Sequence, residues 1–297
     1  MSRYKTPLRY PGGKQRLAPF IRELLAANDL LGGEYAEPYA GGAGVGIELL
    51  IGGEASRIHL NDKDYAVYCF WRSIVHDSGE LCRRIRSASV SVIEWQRQRE
   101  IISRPAEFEV IDIGFAMFYL NRCNRSGILS AGVIGGENQT GKWKIDARFP
   151  RRELITRIEA IASRAHAISI TNCDAEDYLR THVAKFPRRT FVYCDPPYFC
   201  KADRLYLHHY QRSDHQRIAG IMRSLKRPWL VSYDSVTEIK RLYHGFNRID
   251  YGLQYNAASA YVGTEVLFFS PKLRVPRQSA VVSIDVALRA RQRRSLG

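Results

Sequence analysis

No run of about 18 consecutive apolar residues occurs in the chain, so no helix is expected to span a bilayer. The first ten residues, "MSRYKTPLRY", lack the apolar stretch of a secretory leader. None of the 6 cysteines (Cys69, Cys82, Cys123, Cys173, Cys194, Cys200) forms a C-x-x-C pair. Several lie in apolar, strand-like segments, where a reduced thiol packs as a small hydrophobe, and the expected setting is a reducing cytoplasm. The 8 histidines are scattered. Their one cluster, His208–His209 with His215, reads as loop surface, and no metal is expected. No internal repeat is visible. Acidic residues are the marked shortage: 30 against 45 Lys and Arg, a formal charge of +15. A balance so basic calls for a polyanionic partner, nucleic acid before membrane, since no basic amphipathic helix stands out.

What is present is an alternation of strands and helices along 297 residues, 45% of them hydrophobic. Strands are expected at 34–40, 57–62, 166–172, 189–195, 227–234, 245–251 and 264–271, with helical segments between most of them. The last two have only a short Tyr/Asn/Ala/Gly linker between them and should form an antiparallel hairpin. The fold class is therefore α/β, a doubly wound, Rossmann-like sheet with an antiparallel edge. Residues 79–164 break the alternation with helices and then a Gly-, Asn- and Arg-rich stretch, and read as an inserted, mostly helical domain. The expected division is 1–78 with 165–275, the insertion 79–164, and a basic tail 276–297.

The glycine turn "AEPYAGGAGVGIELL" (36–50) follows the first strand and opens a helix. It fails the dinucleotide pattern, because Gly42, Gly44 and Gly46 are followed by Ile47 where a third glycine is needed. "LRYPGGKQ" fails as a phosphate loop, with Leu8 and Gln15 at the required Gly and Ser/Thr positions. Glu37 before the turn would repel a pyrophosphate but suits an ammonium group. Asp62 ends the next strand, where a carboxylate grips a ribose diol. A nucleoside with a positive end and no phosphate meets both demands, and S-adenosylmethionine is such a molecule. Lys14 could pair with its carboxylate.

At the end of the fourth strand stands "DPPY" (195–198). Two prolines stop the strand and remove donors, leaving a carboxylate, carbonyl acceptors and a flat ring. That set suits a ligand with hydrogens to donate and a face to stack.

With "PLRYPGGK" (7–14), "EPYAGGAG" (37–44), "LND" (60–62) and "DPPY" in this order, the chain resembles the DNA adenine N6-methyltransferases of the Dam type, the D12 class. The resemblance implies a discontinuous S-adenosylmethionine-dependent catalytic domain with a target-recognition domain inserted at 79–164. It implies that Tyr10, Gly12, Lys14, Glu37, Pro38, Tyr39, Gly41, Gly42, Asp62, Asp174 and Asp195 hold the cofactor, although Ala175 stands where the family often has an aromatic after Asp174. Asp195, Pro196, Pro197 and Tyr198 would be catalytic. Asp195 and the Pro196 carbonyl would accept the two N6 hydrogens of an adenine flipped out of double-stranded DNA, and Tyr198 would stack on it. Asn121, Arg122, Asn124, Arg125, Lys142, Lys144 and Arg148 are the expected DNA contacts, with Trp143 or Phe149 as a wedge. Segment 202–215 would be a lid. The alternatives are a cytosine-N4 or RNA-base acceptor, or a DNA-binding homologue without activity. The protein is expected to be a cytoplasmic, nucleoid-associated monomer of bacterial or phage origin. Its target sequence, and whether it works alone or with a restriction enzyme, are not readable from these residues.

Overall fold

A computed structural model describes residues 5–9, 14–199, 210–255 and 261–276, with the side chains of 252–255 and 261–264 left aside. Tyr10, Gly12, His208, His209, most of the expected lid and the tail beyond 276 fall outside the described residues.

Among the described residues seven strands form one sheet: β1 (Gly33–Glu37), β2 (Ala55–Asn61), β3 (Ile168–Thr171), β4 (Phe191–Cys194), β5 (Trp229–Asp234), β6 (Asn247–Tyr255) and β7 (Tyr261–Phe269), in the order β3-β2-β1-β4-β5-β7-β6. β2 pairs parallel with β3, and β4 lies parallel between β1 and β5. β7 runs antiparallel to β5 and to β6, the latter as the short connection between Tyr255 and Tyr261 requires. Order and edge hairpin are those of the expected doubly wound, Rossmann-like sheet with an antiparallel edge. All six residues of β5 and all four of β4 are buried, which is why β4 reads as an unbroken apolar run and β5 as one interrupted only by Ser232 and Asp234.

The helices are α1 (Ala18–Ala27), α2 (Gly44–Gly52), α3 (Tyr65–His76), α4 (Ser78–Ser87), α5 (Val92–Ser103), α6 (Val110–Cys123), α7 (Arg151–Ala162), α8 (Arg212–Ser224) and α9 (Thr237–Leu242). The helical segment expected at about 175–185 is present as three adjoining pieces, Ala175–Asp177, Tyr178–His182 and Val183–Lys185. None of the described helices is long and apolar enough to cross a membrane.

Compactness divides the chain into 1–15 with 40–174 and 16–39 with 175–297. In the first unit, α6 is the central helix. Every residue from Ile113 to Cys123 is buried, and Gly114 lets it approach α3, since a Cβ there would lie 2.4 Å from Ser73 Oγ and 2.7 Å from the Cys69 carbonyl. The helix begins on a capping box in which Glu109 and Asp112 each accept from the other's backbone N–H. α3 begins on Asp64, whose Oδ1 accepts from Ala66 and Val67. In the second unit, Phe20 of α1 packs edge-on against Phe269, and Tyr35 of β1 stacks on Phe191 of β4.

Candidate active site

The second unit holds the "DPPY" segment. β4 stops at Cys194 because Pro196 and Pro197 cannot donate to a ladder. Asp195 is half-buried, and its Oδ1 accepts from Ser232 Oγ at 2.6 Å. Ser232 Oγ also lies 2.9 Å from the Tyr193 hydroxyl. A hydroxyl has one hydrogen, and that of Ser232 goes to Asp195, so Tyr193 is the donor to Ser232. The result is a one-way chain, Tyr193 to Ser232 to Asp195, that fixes the carboxylate. Tyr198 is 3% exposed, and its hydroxyl donates to Glu265, a residue 1% exposed on β7 whose other oxygen accepts from the Tyr251 hydroxyl. The Phe199 N–H donates to Asp234 Oδ1 at 3.0 Å.

Glu37, the last residue of β1, is 3% exposed and accepts from the Tyr35 hydroxyl at 2.9 Å. Burial, then the charge of Glu37, then Tyr193, raise Tyr35 well above the usual tyrosine range. Burial and Asp195 do the same for Tyr193. Both phenols therefore stay protonated donors at neutral pH. Pro38 is buried, and the Tyr39 and Tyr210 hydroxyls are 2.9 Å apart.

The first unit holds the glycine turn. Gly41 takes φ +44°, a left-handed conformation that glycine adopts without a side-chain clash. Its N–H donates to Asp62 Oδ2 at 2.7 Å, and Asp64 N–H donates to Asp62 Oδ1 at 2.9 Å. Trp71 Nε1 donates to the Gly41 carbonyl at 2.9 Å and Thr6 Oγ1 to the Gly42 carbonyl at 2.6 Å, so the turn is clamped from both sides. Burial pushes the Asp62 carboxyl up to about 7, with the charge of Asp64 adding and the two N–H donors opposing. Each Asp62 oxygen accepts one of these bonds and keeps a second lone pair, the acceptor set that two neighbouring hydroxyls need. Lys14, at the start of a short helix, is 6% exposed. Asp174 meets Lys63 Nζ at 3.0 Å.

The insertion divides its polar residues sharply. Asn121, 1% exposed, accepts from Arg9 N–H at 2.8 Å and donates to the carbonyls of Arg9 and Gly127. Asn124 is fully buried, accepts from Trp95 Nε1 at 2.6 Å and donates to the carbonyls of Ile128 and Leu129. Arg122 donates to the carbonyls of Arg148 and Pro7. Burial, then the neighbouring charges of Arg9 and Arg157, pull its pKa down to about 9. Phe149 is buried against Phe118 and Tyr119. Arg125, Lys142, Trp143, Lys144 and Arg148 are exposed, and Trp143 is 64% exposed with Lys142 over its ring.

The family model of the D12 class N6 adenine-specific DNA methyltransferases matches residues 10–257. The chain belongs to that family. The match runs from the second half of "PLRYPGGK" through the insertion and "DPPY" into β6 and the connection beyond it. D12 enzymes are adenine-specific DNA methyltransferases, and methyl transfer implies S-adenosylmethionine as donor. No curated protein matches the chain. A solved structure of the rRNA methyltransferase AviRa from Streptomyces viridochromogenes is similar at 15% identity over 88% of this chain and 86% of that one, with a TM-score of 0.42. That likeness is too distant to add to what the strand order says.

Ser232, Asp234, Glu265 and Tyr35 were not among the residues expected at the site. The signal for three of them was in the sequence: a serine and an aspartate inside "WLVSYD" and a glutamate inside "TEVLFF" are polar groups in strands otherwise apolar enough to be core.

Proposed function

We propose that this D12 enzyme methylates the exocyclic N6 of an adenine flipped out of double-stranded DNA, at one target sequence. The observation that carries the reading is Asp195, held by the Tyr193–Ser232 chain at the end of a donor-poor segment. Adenine N6 is a weak nucleophile because its lone pair is delocalised into the ring. Asp195 accepts one N6 hydrogen and the Pro196 carbonyl the other, which favours a pyramidal nitrogen. N6 becomes cationic as it is methylated, and the fixed carboxylate opposes that charge where it develops. Asp195 then takes the proton and passes it to solvent. Tyr198 supplies the stacking face. Its ring is 3% exposed, so a base reaches it only by displacing the atoms that cover it.

S-adenosylmethionine, when bound, supplies the methyl group. Asp62 would accept its ribose hydroxyls, buried Glu37 would face its ammonium group and Lys14 its carboxylate, with Tyr10, Gly12, Pro38, Tyr39, Gly41, Gly42, Asp174 and Asp195 as further contacts. The spare lone pairs of Asp62 and the burial of Glu37 fit a diol and a cation. A pKa near 7 makes the diol site pH-dependent. The carboxylate form is roughly tenfold more abundant at pH 8 than at pH 6. Cofactor affinity measured by calorimetry should therefore rise up to about tenfold across that interval, and Asp62→Asn should flatten the dependence. An unchanged slope in the variant would assign it to the cofactor's own amine.

In the insertion, which we read as the target-recognition domain at 79–164, the exposed Arg125, Lys142, Lys144 and Arg148 are the groups free of burial to meet DNA, with Trp143 as the wedge. The like charges of Arg9, Arg148 and Arg157 around Arg122 add a positive field that an anion would relieve. Asn121, Arg122 and Asn124 then act by shaping the loop. Lys142→Ala should weaken binding equally on target and non-target duplexes and reduce the slope of log K against log salt by about 0.9 per phosphate contact. Loss confined to the target duplex would make Lys142 a base reader.

The reading is tested by tritium transfer from labelled S-adenosylmethionine into unmethylated DNA and, in parallel, into RNA, followed by nucleoside analysis. Label in N6-methyladenine supports it. Label in N4-methylcytosine overturns the base, and label in RNA alone overturns the substrate.

A further inference from the structure

The β5–β7 ladder pairs Ser232 with Leu267 and Asp234 with Glu265, and the β6–β7 ladder pairs Tyr251 with Glu265. Directly opposed residues share a face of a sheet, and alternation puts Ser232 and Asp234 on the same one. One face of the antiparallel edge therefore carries Ser232, Asp234, Glu265 and Tyr251 together. The first three bond the segment after β4 at successive points: Ser232 to the Asp195 carboxylate, Glu265 to the Tyr198 hydroxyl and Asp234 to the Phe199 N–H. Tyr233, between them in sequence, points the other way and meets His215 of α8.

We propose that Ser232, Asp234 and Glu265 are the positioning residues of the reaction, and that Glu265 fixes the position of the Tyr198 ring on which the target base stacks. This rests on the catalytic role given to 195–198 above. A tyrosine anchored only at its Cβ can swing about χ1, whereas one whose hydroxyl is also held keeps its ring's long axis fixed; turning about χ2 leaves the hydroxyl in place, and the preference of a phenolic O–H for the ring plane ties that turn to the direction of the bond. Glu265 is 1% exposed, which costs desolvation, and its two oxygens are met by the Tyr198 and Tyr251 hydroxyls. Tyr251 reaches the carboxyl from the neighbouring strand, so Glu265 is held on one side and holds Tyr198 on the other. A glutamate in an apolar strand has no packing advantage over leucine or valine at that position. Its chemical use is to accept these two hydroxyls.

The test uses the full-length enzyme, a duplex carrying its mapped target and the variants Glu265→Gln, Tyr198→Phe and the double variant. Single-turnover methyl transfer, cofactor affinity and melting temperature are read for each. Glu265→Gln should slow transfer about 10- to 100-fold with cofactor affinity changed less than twofold. Tyr198→Phe, which removes the bond from the loop side and leaves the strand intact, should slow transfer about tenfold or more. In the Tyr198→Phe background the Gln substitution should add less than about threefold, because both changes remove one bond. Multiplying effects, or an unchanged rate in Tyr198→Phe, would overturn the assignment. If Glu265→Gln fails to fold, the rate of Tyr198→Phe decides alone. A wild-type enzyme that labels no adenine would instead refute the catalytic reading itself.

Discussion

Asp195→Asn should reduce methyl transfer to adenine by roughly 10²–10³-fold in single-turnover assays. The substitution keeps size and one carbonyl oxygen, and Ser232 can still donate to that oxygen. What it removes is the negative charge facing N6 as that nitrogen becomes cationic. What it adds is an N–H pair aimed where an acceptor is needed. The loss should appear with saturating cofactor and DNA, and DNA affinity should change little. A variant that keeps its rate but needs far more cofactor would mean that Asp195 serves binding alone. A variant impaired equally in rate and melting temperature would mean that the Tyr193–Ser232–Asp195 chain is a folding element.

Asn124→Ala should cost about 2–4 kcal/mol of stability and leave target choice alone. Asn124 is fully buried and makes three hydrogen bonds, to Trp95 Nε1 and to the carbonyls of Ile128 and Leu129. Truncating it leaves an indole N–H and two carbonyls without that partner in the core. Denaturant unfolding reads the cost. Methylation of duplexes altered at single positions reads the specificity. Arg125→Ala is the comparison: Arg125 is exposed, so its loss should spare stability and weaken the DNA complex. Relaxed specificity in Asn124→Ala at unchanged stability would return this asparagine to the role of a base reader.

That contrast shows where sequence reading stops. Asparagine and arginine next to glycine in "NRCNRSG" offer the same donors and acceptors to a base edge as to a backbone carbonyl, and residue type cannot separate the two. Burial does, and the clue to it lay upstream. "IGFAMFYL" is apolar on all sides, the mark of a helix buried all round, so polar residues ending it point into the interior. The strands were legible because each has a continuous apolar run or alternation bounded by turn residues, and the short connection after β6 permitted only an antiparallel partner. The pairing of Ser232, Asp234 and Glu265 with residues 195–199 was not legible, since it depends on the register of two strands far apart in sequence. Residues 175–185, expected as a helical segment, are helical throughout but not regularly so. A five-residue π-turn, Tyr178–His182, breaks the register there, and the Tyr178 and His182 rings stack across it.

The bond from Tyr198 to Glu265 also orders events on the ribosome. Translation at 5–20 residues per second takes roughly 3–13 s to go from one residue to the other. Through that interval a nascent chain carries "DPPY" without the strand that holds Tyr198, and β5, made part-way through it, waits for β7. The Asp195–Tyr198 segment therefore takes its final form only after the chain has been made through β7.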